Sequence, residues 1–179
     1  MLYAFGFERI GVVVSDLYFV DPDPIPGQEG AERGVRVELR FLASDPLRGS
    51  IYSAQPISID RPIWRCDLLE SVAGPPGSHD RTHHHPRFDG WEPSHRVFAE
   101  DLSAAPLDWL GARLGDLPML LTEAGIDEDE VGAGDATELR AATPQILDAT
   151  ASLLRRVRAG ELANPRPDYP LDNARVGWL

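Results

Sequence analysis

Apolar residues recur with two different periods along this chain, and the change from one to the other falls near residue 100. Before it, β-branched and aromatic runs predict strands. IGVVVSDLYFV, within Glu8 to Val20, reads as the first, bent near Ser15 and Asp16. DPDPIPGQEGAERG, from Asp21 to Gly34, holds three prolines and three glycines and predicts a loop. Val35, Val37, Leu39 and Phe41 then alternate strictly with charged residues, the mark of a half-buried strand. Ser44-Asp45-Pro46 turns the chain into a weaker strand over Ser50 to Ile59. Ile63 to Val72 reads as a fourth, with Trp64, Cys66 and Leu68 on one face. Ala73 to Gly77 breaks it, a histidine-bearing loop follows, and His95 to Ala99 predicts a last short strand.

Beyond residue 100 the spacing becomes helical. Ser103 is an N-cap for a helix near 104 to 114, and Asp116 for one ending at Gly125. Asp135 with Glu138 resembles a capping box. Thr143-Pro144 marks a further start, because proline is tolerated at the first helical position. The main helix is therefore expected from Pro144 to Ala159, stopped by Gly160, with Ile146, Leu147, Leu153, Leu154 and Val157 as its apolar stripe. Residues 161 to 179 are proline-rich and polar apart from Trp178 and Leu179, and read as a surface tail. Strands followed by helices indicate one α+β domain over residues 1 to 160. Its expected form is an antiparallel sheet of about five strands in the N-terminal 100 residues, with C-terminal helices packed on one face.

The composition, 42% hydrophobic and 26% charged over 179 residues, suits a single folded domain rather than a disordered chain. All 17 basic side chains are arginine, which excludes Schiff-base, P-loop and general-base lysine chemistry. A net charge of −12 repels nucleic acid, so a polyanion could be met only by a local basic patch. The acidic run Asp127 to Glu130 reads as a solvated linker. Cys66, the single cysteine, forms no intramolecular disulfide and reads as core; the start MLYAFGF lacks the features of a signal peptide and no apolar run spans a bilayer. These features lead us to expect a cytoplasmic protein without a membrane segment.

All five histidines lie between His79 and Arg96, in HDRTHHHPRFDGWEPSHR. His83 and His85 share one side of an extended segment, and His95 follows after nine intervening residues. Three imidazoles, or two with Asp89, suit a divalent transition metal such as zinc or iron. Without a metal, histidines can serve as general base and acid on a phosphodiester while Arg96, Arg87, Arg81 and Arg65 hold phosphate charge and Trp91 stacks on the substrate. The plainest reading is a solvated histidine-proline loop that binds nothing.

A strand of the RCDLL kind, then HHHPRFDGWEPSHRVF, then helices, resembles the TumE-like family of small bacterial toxins over about residues 60 to 110. The resemblance implies nucleic-acid-directed toxin activity and a cognate antitoxin as partner. Taken together, the favoured expectation is a toxin-like enzyme acting on phosphodiester bonds through His83, His85, His95 and Arg96. Two alternatives stand beside it. One is a non-enzymatic binding module of the antitoxin, immunity or adaptor kind, using the acidic surface and the C-terminal helix. The other is a mononuclear metal-dependent enzyme using His83, His85 and His95.

Overall fold

The computed structural model describes residues 1 to 165; most of the expected tail, including Trp178 and Leu179, lies outside the described residues. Strands β1 (Leu2–Gly6), β2 (Ile10–Val20), β3 (Ala31–Ser44), β4 (Ile57–Ser71) and β5 (His83–His85) form an antiparallel meander in chain order. A small separate hairpin joins β6 (Phe88–Asp89) to β7 (Glu92–Pro93). Helices α1 (Glu100–Ala104), α2 (Pro106–Leu114), α3 (Leu117–Ala124) and α4 (Asp135–Arg158) follow, with a 3₁₀ turn at Glu128–Glu130. Among the described residues no helix is long and apolar enough to cross a membrane.

Register decides what each sheet face carries. Val14, Val37, Cys66 and His84 stand side by side across four strands. So do Ser15, Arg36, Asp67 and His83, one residue along and therefore on the opposite face. The first face is apolar and takes the helices: Val12, Val37, Leu39, Trp64 and Leu68 share one core with Leu110, Leu120, Ile146, Leu153 and Val157. At roughly 1.5–3 kcal/mol for each such side chain, this layer holds the fold together. The second face carries the polar site.

Several elements depart from the sequence expectation, each for a physical reason. β1 has no counterpart in the sequence expectation: on this short edge strand Leu2 and Tyr3 are exposed while Phe5 packs against the core, too brief a pattern to read as a strand. Ser50 to Ile59 is not a strand: Gly49 to Ser53 bends and turns, with a Ser53 amide donating to the Ser50 carbonyl at 2.9 Å, and β4 starts only at Ile57. The loop after β2 ends at Ala31, since Ala31 to Gly34 pairs with Leu17 to Val20. Gly34 is required where it stands. A Cβ there would lie 2.0 Å from the Leu68 carbonyl oxygen on β4.

The histidine stretch is not an open loop. His83 to His85 pairs with Arg65 to Asp67 and extends the sheet, and all three histidines are buried. His95 to Ala99 contributes one bridge, Val97 to His84, instead of a strand. Ser103 does not cap a helix but lies inside α1, and α2 begins at Pro106. Asp116 does cap α3, accepting from the Met119 amide, and Gly125 ends it at φ +72°. α4 starts at Asp135 rather than Pro144. Its buried stripe runs unbroken from Leu139 to Val157, so packing carries the helix through the proline. The Asp135 side chain is not a cap for its own helix. It accepts the amides of Glu8, Arg9 and Gly132, tying α4 to the turn between β1 and β2.

Candidate metal centre on the open face of the sheet

The helix-free face of β3, β4 and β5 carries a layer of ionisable side chains. Charges alternate along β3 as Arg36, Glu38 and Arg40, and β4 answers with Arg65 and Asp67 in register. Arg36 grips Asp67 with both ends of its fork, Nε to Oδ1 at 2.7 Å and Nη2 to Oδ2 at 3.0 Å. Glu38 accepts from Arg65 Nε at 2.8 Å and Arg40 Nη1 at 2.7 Å. Buried charges on this scale persist only when paired and hydrogen-bonded, as these are.

β5 brings His83 and His85 onto the same face, opposite Asp67 and Arg65. Their rings meet edge to face, with centroids 5.0 Å apart. His83 Nδ1 lies 2.8 Å from the Arg81 carbonyl and His85 Nδ1 lies 2.6 Å from the Ser94 carbonyl. A carbonyl only accepts, so both Nδ1 atoms carry the proton and both Nε2 atoms present a lone pair. Those lone pairs face a third acceptor: Asp67 Oδ2 is 3.5 Å from His83 Nε2 and 3.7 Å from His85 Nε2. One ligand atom from each of the three residues fits within a span of 4.8 Å.

Electrostatics keeps this set in its ligating form. Burial pushes His83 down to about 4 despite the adjacent Asp67 carboxylate, and burial likewise lowers His85. Burial would raise Asp67, but the Arg36 fork holds its carboxyl well below the usual carboxylate range. At neutral pH the centre therefore holds two neutral imidazoles and one carboxylate. Its His83 and Asp67 side chains are each 2% exposed. Aromatic rings from the following segment cover it: Phe98 against His83 at 5.5 Å, Phe88 under Arg65 at 5.0 Å and Trp91 under Arg40 at 5.2 Å.

The other expected site residues are placed as follows. His95 is exposed and lies outside this group, as does Asp89 on its hairpin. Arg96 donates to Glu32 at 2.9 Å and to Gln28 at 3.2 Å and pairs with Asp21 at 3.3 Å. Arg81 donates to the Gly27 carbonyl at 2.8 Å and stands 3.8 Å from Glu32. Arg87 is exposed, and Trp91 is 60% exposed. His84 points to the helix side, its ring 5.0 Å from Trp109. His79 lies beside Arg158 and Glu70. Asp67, Arg36 and Glu38 were not among the expected site residues. For Arg36 and Glu38 the signal was the charged phase of Val35 to Phe41, which reads as a solvated face until its neighbouring strand is known; no local pattern marks Asp67.

Comparison with known proteins gives no match to a family model, to a curated protein or to a solved structure.

Proposed function

We propose that this protein is a mononuclear metal protein that binds one divalent transition ion, zinc or iron, through Asp67 Oδ2 and the Nε2 atoms of His83 and His85. The observation that supports it is the pair of Nδ1 protons spent on backbone carbonyls. Those carbonyls fix the tautomer and turn both Nε2 lone pairs toward Asp67 Oδ2, which also accepts from Arg36 Nη2 at 3.0 Å, so that three acceptors meet and neither imidazole offers the carboxylate a proton. Such a set gains most from a cation. Two imidazoles and one carboxylate leave further coordination positions for water and a substrate, the arrangement of a catalytic rather than a structural ion.

Phosphodiester cleavage by the same histidines has less support. General acid-base work needs a proton that comes and goes near neutral pH, and His83 is held neutral down to about 4 with its Nδ1 proton committed. The test is metal analysis of protein purified without a histidine tag. We expect about one ion per chain, lost in His83→Gln and His85→Gln and retained in His95→Ala and Asp89→Asn. Metal-stripped protein that takes up no zinc, iron, cobalt, nickel or copper would overturn the reading.

A further inference from the structure

Resting on the metal reading, we propose that the exogenous ligand of this centre is a small oxyanion, a carboxylate or a phosphate, held between the ion and the terminal nitrogens of Arg65. Charge balance is the first argument. The carboxylates of this face are already matched by arginines: Asp67 by Arg36, Glu38 by Arg40 and Arg65, and Glu32 by Arg96. A divalent ion bound by neutral imidazoles adds two positive charges to that layer. A neutral ligand would leave the added charge uncompensated in a mostly buried layer.

Hydrogen-bond capacity is the second argument, and it singles out one arginine. Arg36 spends its fork on Asp67. Arg40 donates to both the Asp60 carbonyl and Glu38. Arg65 donates through Nε to Glu38, and among the described residues neither of its terminal nitrogens makes a hydrogen bond. Arg65 is the direct cross-strand partner of His85, so both side chains rise from the same face on adjacent strands, at a typical Cβ separation of roughly 5 Å. Its guanidinium rests over the Phe88 ring, which limits its swing. A planar fork with open donors beside a metal ligand is the geometry that recognises two oxygens of one anion. The slight exposure of Asp67, His83 and His85, together with the Phe88, Trp91 and Phe98 cover, limits the ligand to a small one.

The experiment loads metal-stripped protein with cobalt(II) and titrates acetate, phosphate and chloride at equal ionic strength, following the visible cobalt bands. Wild-type protein is expected to respond to acetate or phosphate and not to chloride, and the tighter of the two assigns the oxyanion as carboxylate or phosphate. Arg65→Met is expected to bind one cobalt while its anion affinity falls at least tenfold. Arg65→Lys keeps the charge beside Glu38 but not the fork, and is expected to remain below wild type; it carries the test should the methionine variant fail to fold. Cobalt-loaded wild type that answers neither anion, or an arginine-free variant with unchanged anion affinity, overturns this proposal while leaving the metal centre standing. Wild type that takes up no cobalt overturns the metal centre itself.

Discussion

At the scale of single residues, the account turns on which histidine nitrogen holds the proton. His83 and His85 each give Nδ1–H to a carbonyl, and burial lowers the pKa of both. The unfolded chain returns His83 to about 6.5. Its neutral form is therefore favoured by folding, and that contribution is fully present above pH 6.5. It is lost as the pH falls from about 6.5 through the folded value of about 4. The depressed Asp67 acts in the same direction at lower pH, as its Arg36 pairing is lost on protonation. Denaturant melts of metal-stripped protein should therefore show stability falling between pH 6.5 and 4, by on the order of 3 kcal/mol from His83. His83→Gln should flatten that slope; an unchanged slope would mean that His83 titrates normally in the folded protein. Metal uptake at pH 7 should release almost no protons from the histidines, which isothermal titration in two buffers of different ionisation enthalpy would measure.

At the scale of elements, most of the fold was legible where one period ran without competition. The alternation of Val35 to Phe41 named β3, and the stripe Ile146, Leu153, Leu154 and Val157 named the inner face of α4. Leu153, fully buried in that core, should cost about 2–4 kcal/mol when cut to alanine, read from a shift in the denaturant midpoint. The start of α4 was misread because a local signal, Thr143-Pro144, competes with a tertiary one. Pro144 is exposed and its missing amide removes a single helical bond, while residues on both sides are held against the sheet. Pro144→Ala should consequently stabilise the protein by about 1–2 kcal/mol, the regained bond outweighing the added freedom of the unfolded chain. A fall in melting temperature would show that the proline suits the helix better than this packing argument allows. The histidine strand was hidden for a related reason. Pro86, Gly90 and Pro93 punctuate a hairpin next to it, but pairing with β4 is long-range and leaves no local trace. Asp67 was hidden by the same gap, since only the β4 to β5 register puts it opposite His83.

At the scale of the molecule, the sheet separates two kinds of energy. Helices and apolar side chains on one face provide the stability, and the other face concentrates paired charge around the two histidines. Gly34 lies on the strand between these layers, and its alanine variant should push β3 from β4 and loosen the Arg36 to Asp67 fork. The net charge of −12 still bears on partners. Arg81 and Arg96 face Glu32, and Arg96 also reaches Asp21, so little positive charge in the 79 to 96 segment is left for a polyanion. Binding to RNA or DNA should be weak and should vanish near ~0.15 M salt, as a filter-binding assay at pH 6 and pH 8 would reveal.

The metal centre is the claim on which the functional account depends, and X-ray absorption at the zinc edge of stoichiometrically loaded protein addresses it most directly. The account predicts one zinc per chain with two imidazole nitrogens near ~2.0–2.1 Å and oxygen in the remaining positions. Loss of the imidazole signature in a His83→Gln, His85→Gln double variant completes the expected result. A spectrum with sulfur ligation, or one unchanged in the double variant, would contradict it.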